Sequence, residues 1–514
     1  MRVSISAFAR ALRHCYGALA LALVVACAPA SRSGVDQSAC PAADLQNDAQ
    51  NCGACDRVCP TNELCNAGQC ASIACTPGAT ADCYSGPPGT LGIGACHGGQ
   101  KTCAPNGFWG ECAGAITPRT EICGNLADDN CNGAVDENED TDGDGFTTCD
   151  GDCCDNTGQC GQPERVNPGA FDAPGNSIDD DCDGQVDNGA TAACDTGLES
   201  DSTSPMDYAR AMELCQTATT MDRRWGVISA KWTLADGNGT PVRDSYSIRP
   251  AFGANVTPRA GASMFEISTG NAADQDDMNP GFYPFHGLGT GTHSGYPADW
   301  LSNNGGVLPN APGCPGAHFN EDAQDPVMLT LRIRVPTNAQ SFSFSTNFYS
   351  AEYPEWVCTP YNDFFVVLLK STWSGTPANP TDGNLATYTA PNGMRFPVGV
   401  NLATGNTGLF NQCLNATTGC AQPDAPRGMN TTCQSTSELT GTGFDVPTFD
   451  TCNSPMIEGG GTGWLVTKGN VKGGEIITLR IAIWDTSDEG YDSLAIIDNF
   501  KWAVTAAEPG TNIP

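Results

Sequence analysis

The sequence predicts a mainly β protein. A β-sandwich or jelly roll over about 200–505 follows a disulfide-rich stalk of acidic loops with little regular secondary structure. Three observations carry this. Apolar residues alternate at Val327, Leu329, Leu331, Ile333 and Val335, and again at Ile477, Leu479, Ile481 and Ile483, the period-two pattern of half-buried strands. The chain holds 28 cysteines, a density that belongs to oxidising compartments. Its formal net charge is −34, and residues 121–190 hold 19 Asp and Glu against one Arg. A chain this acidic repels phosphate backbones, which excludes nucleic acid as a general partner. The 514 residues suffice for two to four domains.

The N-terminus reads as an export signal over 1–26. Arg2, Arg10 and Arg13 precede the apolar run from Ala18 to Ala26, too short for a membrane span but of signal-peptide length. The run ends Val24-Val25-Ala26-Cys27 and resembles a bacterial lipobox, which implies cleavage before Cys27, lipidation of that thiol and attachment to a membrane, with Ala28 favouring the outer one. Cleavage after Ala28-Pro29-Ala30 also satisfies the small-residue rule and would give a plain secreted protein. No later segment approaches a transmembrane length.

Apart from Cys15 and Cys27, six cysteines fall in 40–70, twelve in 75–182 and eight in 194–452. Each block is even, so complete pairing within blocks is available and no thiol is reserved for catalysis. Residues 40–70 have almost no bulky apolar side chains and must be stapled. Cys52-Gly-Ala-Cys55 has no βαβ pattern around it, which favours a disulfide over thiol exchange or zinc. The run from Asn51 to Cys70 resembles the stigma-specific-protein-like cysteine module, which implies a structural spacer. Residues 75–120 form a second Cys- and Gly-rich module, where His97 reads as an exposed loop residue.

In 121–190 the acids are spaced, not scattered. Asp128, Asn130 and Asn132 precede Gly133, with Asp136 at the ninth loop position and Glu139 at the twelfth. Asp140, Asp142 and Asp144 precede Gly145, with Asp152 beyond. Asp179, Asp181 and Asp183 precede Gly184, with Asp187 again ninth. Oxygen donors at positions 1, 3 and 5 before a turn glycine are what a calcium loop requires. The loops lack the flanking helices of an EF-hand and look closer to thrombospondin-type-3 or dockerin loops. The stretch as a whole resembles the MopE-type metal-binding repeat through Glu121-Ile-Cys123, Asp129-Asn-Cys131-Asn-Gly133, Gly151-Asp152-Cys153, Asn167-Pro-Gly-Ala170 and Asp179-Asp-Asp-Cys-Asp-Gly184. That family is named for copper. The stretch holds neither His nor Met, and hard oxygen donors select calcium over copper. About three calcium ions are expected.

In the C-terminal domain, Ser204-Pro205 reads as a helix start, and Tyr208, Ala211, Met212 and Cys215 share one helical face. Everything after it reads as strands joined by Gly- and Pro-rich loops, without βαβ alternation. Phe348-Tyr-Ser-Ala-Glu352-Tyr353-Pro354-Glu355, Tyr361-Asn362-Asp363-Phe364-Phe365 and Ile483-Trp484-Asp485 through Asp498-Asn499-Phe500 resemble the choice-of-anchor L domain. The resemblance implies a bacterial surface β-domain and supplies no catalytic residues. Glu352, Asp363, Asp485, Asp488 and Asp492 form a candidate second metal site, set against turn capping by the same carboxylates. His286, His293 and His318 have no zinc-ligand spacing, and Gly291-x-His293-Ser294-Gly295 is not a nucleophile elbow.

The sequence therefore reads as an exported, lipid-anchored surface protein whose sandwich serves adhesion or ligand binding. Glycans are candidate ligands, through Trp300, Trp356 and Trp373 in loop-like stretches, tryptophans that fit ordinary core or rim positions equally well. The alternatives are a secreted hydrolase with a spacer stalk and a structural envelope component.

Overall fold

Cysteine pairs take the place of a hydrophobic core in the first part of the molecule. The computed structural model describes residues 44–61, 63–72, 74–136, 140–188, 194–287, 289–316, 322–423, 425–447, 457 and 459–514. The expected leader, Cys27, Glu139 and His318 lie outside them. The chain divides into two compact units, Met1–Glu137 and Asn138–Pro514.

In the first unit, β1 (Glu63–Asn66) pairs with β2 (Gln69–Ser72), and β3 (Thr80–Cys83) with β4 (Gly99–Thr102), both antiparallel. Disulfides Cys52–Cys65, Cys59–Cys70, Cys75–Cys103, Cys83–Cys112 and Cys96–Cys131 cross it. Among its described residues, the buried apolar side chains are all cysteines, while Val58, Leu91, Leu126 and Val135 are exposed. So small a core cannot offset the ordering entropy of the chain, and the cross-links must.

The second unit is a sandwich of two antiparallel sheets. Its strands are β5 (Gly226–Thr233), β6 (Tyr246–Arg249), β7 (Met264–Ser268), β8 (His293–Ser294), β9 (Ala323–Arg334), β10 (Ser341–Ser350), β11 (Phe364–Lys370), β12 (Thr387–Thr389), β13 (Arg395–Pro397), β14 (Ala416–Thr418), β15 (Gly428–Asn430), β16 (Gly460–Asn470), β17 (Ile476–Thr486), β18 (Ser493–Ala503) and β19 (Gly510–Asn512). One sheet runs β19-β16-β10-β18-β7-β6 and the other β11-β17-β9-β5, with β8 on β9. The alternating residues meet in one core: Leu329, Leu331 and Ile333 of β9, Ile477, Leu479 and Ile481 of β17, Phe342 and Phe344 of β10, and Ile497 of β18. The opposite faces are covered as well. Tyr349, Leu494 and Ile496 pack with Phe252, Phe285 and Phe444, and Phe364, Val366 and Trp484 pack with Trp300. Burial on both faces explains why Phe364–Leu369 and Leu494–Ile497 read as continuous apolar runs.

Two short helices flank the sheets. In α1 (Pro205–Arg210), Pro205 opens the helix, but the Ser204 side chain makes no capping bond; Tyr208, Ala211 and Met212 are buried as the periodicity predicts. The second helix, α2 (Ala298–Asn303), corrects an expectation. It buries Trp300 to 1% exposure, with ring centroids 5.6 Å from Trp484 and 5.9 Å from Phe364. Trp356 and Trp373 are half-buried. None of the three is an exposed platform. Among the described residues, no helix is long and apolar enough to cross a membrane.

The acidic stretch is divided where the sequence suggested one stalk. The loop at Asp128 belongs to the first unit, and the loops at Asp140 and Asp179 belong to the second. Residues 140–188 are fastened to the sandwich: Thr337 N donates to Gly169 O at 3.0 Å, and Asn338 Nδ2 donates to Phe171 O at 2.8 Å.

Candidate metal centre

Each acidic loop is built the same way. Asp128 Oδ1 accepts from Asn132 N at 3.1 Å and Oδ2 from Gly133 N at 2.9 Å. Asp179 accepts from Asp183 N and Gly184 N at the same two distances. Asp140 Oδ2 accepts from Gly145 N at 2.9 Å. The third and fifth residues repeat the device: Asn130, Asp142 and Asp181 accept from the N–H two residues on, as do Asn132, Asp144 and Asp183. The turn glycines Gly133, Gly145 and Gly184 have φ of 101°, 94° and 91°, a left-handed backbone that costs other residues strain.

The folding of these loops gathers carboxylates. Ligand oxygens of Asp140, Asp142 and Asp144 lie within 4.8 Å of one another, as do those of Asp179, Asp181 and Asp183, and those of Asp142, Asp152 and Asp155. Asp142 belongs to two sets, so the middle loop holds a joined array of five. Asp142 Oδ2 and Asp152 Oδ2 are buried without a hydrogen-bond partner. Burial, reinforced by neighbouring carboxylates, pushes Asp144, Asp152 and Asp181 up to about 6 and raises Asp142 as well. Asp155, which also accepts from Thr141 N at 2.8 Å, escaped the sequence reading because it lies outside the loop hexamer.

Asp136 and Asp187, expected at the ninth loop position, both cap turns. Asp136 accepts from Asn125 N and Leu126 N at 3.1 and 2.8 Å. Asp187 accepts from Gly175 N, Asn176 N and Ser177 N. Both are turn caps in a 51-residue repeat. Asp129 accepts from Asn125 Nδ2 and Asp180 from Asn176 Nδ2; Glu121 accepts from Asp129 N and Asp172 from Asp180 N. Corresponding residues of the two copies are 51 positions apart.

The second candidate site lies at one end of the sandwich. Glu352, Asp363, Asp485 and Asp492 are each at most 2% exposed, whereas Asp488 is exposed. Burial first, then mutual repulsion, holds Glu352, Asp485 and Asp492 well above the usual carboxylate range. Burial likewise pushes Asp363 up to about 8. The buried Asp325 of β9 joins them through its charge; it was missed because it sits within an apolar strand.

Two family models match the chain. Residues 116–137 and 162–188 match the family described as "Putative metal-binding motif", of MopE type. Residues 320–500 match the choice-of-anchor L domain. No curated protein and no solved structure matches the chain. The two segments of the metal-binding motif coincide with the 51-residue repeat. The choice-of-anchor L domain is that of a cell-surface or exported protein. Its matched span is shorter than the expected 200–505, yet β5, β6 and β7 lie before it and complete both sheets.

The motif's donors fit a hard cation. The segment contains no His or Met, and all its described cysteines are in disulfides. That leaves carboxylate, amide and carbonyl oxygens as the donors open to a metal ion.

Proposed function

We propose that this is an exported surface protein that holds calcium in the acidic loops of its metal-binding motif and carries a β-sandwich as its outward binding domain. The observation behind this reading is the all-oxygen sets Asp140/Asp142/Asp144, Asp142/Asp152/Asp155 and Asp179/Asp181/Asp183, drawn within 4.8 Å. Asp128, Asn130 and Asn132 would hold a further ion with fewer charges. The ions would neutralise adjacent carboxylates and fix loops that have little apolar surface of their own. Anchoring through a lipid on Cys27 would follow from the lipobox-like Val24–Cys27 run. Adhesion is the role such a domain would serve, but buried Trp300 removes the ground for a glycan ligand.

The deciding experiment is metal analysis of the mature protein, followed by calorimetric titration with calcium and with Cu(II). About three calcium ions held in the acidic loops at millimolar calcium, the range of extracellular modules, support the reading. Preferential copper binding, or no calcium bound, would refute it.

A further inference from the structure

The end of the sandwich contains more acceptor oxygens than the protein has donors for. Phe364 of β11 pairs with Trp484 of β17, which sets Asp363 beside Asp485. Asp485 in turn pairs with Gln324 of β9, next to Asp325. From the other sheet, Ser493 of β18 pairs with Ser350 of β10, which brings Asp492 and Glu352 to the same end. Three strands of one sheet and a strand pair of the other thus converge there.

Asp485 is fully buried, and its carboxylate oxygens meet no N–H or hydroxyl donor, only the neighbouring carboxyl of Asp363. Asp325 Oδ2, Asp492 Oδ1 and Asn362 Oδ1 are buried without a hydrogen-bond partner. The other oxygens are oriented: Thr292 N donates to Asp325 Oδ1 at 3.0 Å, Ser493 Oγ to Asp363 Oδ2 at 2.5 Å, and Asp363 N to Glu352 Oε2 at 3.3 Å. Glycines make room. A Cβ on Gly289 would collide with Asp325 Oδ2, and one on Gly270 with Asp492 Oδ2. Among the described residues, no ion pair reaches Asp325, Asp363, Asp485 or Asp492.

We infer that Asp325, Asp363, Asp485 and Asp492 form a calcium site that joins the two sheets, separate from the acidic loops. A proton shared by two carboxylates satisfies one pair of oxygens. The orphan atoms of Asp325, Asn362, Asp485 and Asp492 are all acceptors from four chain segments, and a cation with about six to eight oxygen ligands satisfies them together. These carboxylates are not among the sets drawn within 4.8 Å. Asp488 is exposed, and its charge acts on Glu352 and Asp363 from the edge of the cluster.

The test uses full-length protein with calcium calorimetry and tryptophan-sensitised terbium luminescence. Trp484 directly precedes Asp485, so terbium in this site is sensitised by that indole. Trp484→Phe should dim the emission while leaving the ion count intact. Asp485→Asn and Asp363→Asn should each lose one ion and the emission, whereas Asp181→Asn should lose a loop ion and keep it. The inference fails if Trp484→Phe leaves the emission unchanged. It fails equally if the folded Asp485 and Asp363 variants bind as many ions as the parent, the result expected of a shared proton. Loss of the loop ions alone would defeat the proposed function and leave this site standing.

Discussion

Thr337 donates its hydroxyl to Asn167 Oδ1 at 2.7 Å, and this bond fastens an acidic loop to the sandwich. Asn167 is fully buried. Its Nδ2 donates to Asp144 Oδ2 at 2.7 Å and its Oδ1 also accepts from Gly169 N at 2.9 Å. One side chain therefore orients a loop carboxylate and holds the connection between β9 and β10 in place. Any ion bound by the middle loop is coupled through it to the stability of the β-domain.

Asn167→Ala should accordingly do two things. It leaves the Thr337 hydroxyl and Gly169 N–H without their partner, and unmet buried polar groups cost about 1–3 kcal/mol. It also frees Asp144 to rotate. Thermal unfolding should shift down in chelator, and the calcium-induced gain in stability should shrink. An unchanged calcium response would show that Asn167 is only a structural tie.

The loop donors and the turn caps should separate under substitution. Asp142→Asn and Asp155→Asn should lower stability in millimolar calcium and change little, or even raise it, in chelator, because each removes a repelling charge. Asp136→Asn and Asp187→Asn should cost a similar amount in both conditions, about 0.5–2 kcal/mol as for other lost side-chain caps. Melting curves of the four variants with and without calcium distinguish the classes.

The fold was legible where side-chain period decides burial. Leu329 to Ile333 and Ile477 to Ile481 alternate because one face of each strand meets the shared core. The loop hexamers were legible because a calcium-type loop needs oxygens and a left-handed glycine at fixed offsets. Less could be read where tertiary structure chooses among equivalent residues. Asp136 matches a ninth-position ligand by spacing, yet the preceding turn offers it two N–H groups. Asp155 and Asp325 gain their roles only when distant segments meet. Trp300, in a loop-like stretch, is buried by a six-residue helix too short to leave a periodic signal.

The first unit should depend on its disulfides far more than the second. All cysteines among the described residues are disulfide-bonded, including Cys55, Cys123, Cys149 and Cys420. Cys52–Cys65 and Cys59–Cys70 close segments with sequence separations of 13 and 11, and a loop of about 15 residues is stabilised by about 3 kcal/mol. Thiol titration of the denatured, unreduced protein should find almost no free thiol. After reduction under native conditions, hydrogen exchange should rise throughout 44–136 while β9, β10, β17 and β18 stay protected. Retained protection in 44–136 would show that the segment holds its fold without the cross-links.

The last prediction concerns pH and a group remote from both candidate metal sites. Glu213 faces Asp498 and Asp195; burial first, then these two carboxylates, pushes it up to about 9 from an ordinary 4.5. Both Glu213 oxygens are buried against the Asp498 carboxyl, while Asp195 Oδ2 accepts from Ser263 N at 2.6 Å and Asp498 Oδ1 from Asn499 N at 2.6 Å. The folded protein thus keeps a proton on Glu213 that the unfolded chain releases above about pH 4.5. The native state binds the extra proton, so stability falls as pH rises from about 4.5 to about 9 and levels off beyond. Glu213→Gln supplies a neutral side chain of the same length with N–H donors for Asp498. Melting temperature measured in excess calcium from about pH 5.5 to about pH 9 should therefore decline less steeply in Glu213→Gln than in the parent, with the largest gain at the alkaline end. Parallel pH profiles for the two proteins would show that Glu213 is ionised in the fold and that this proton is not held.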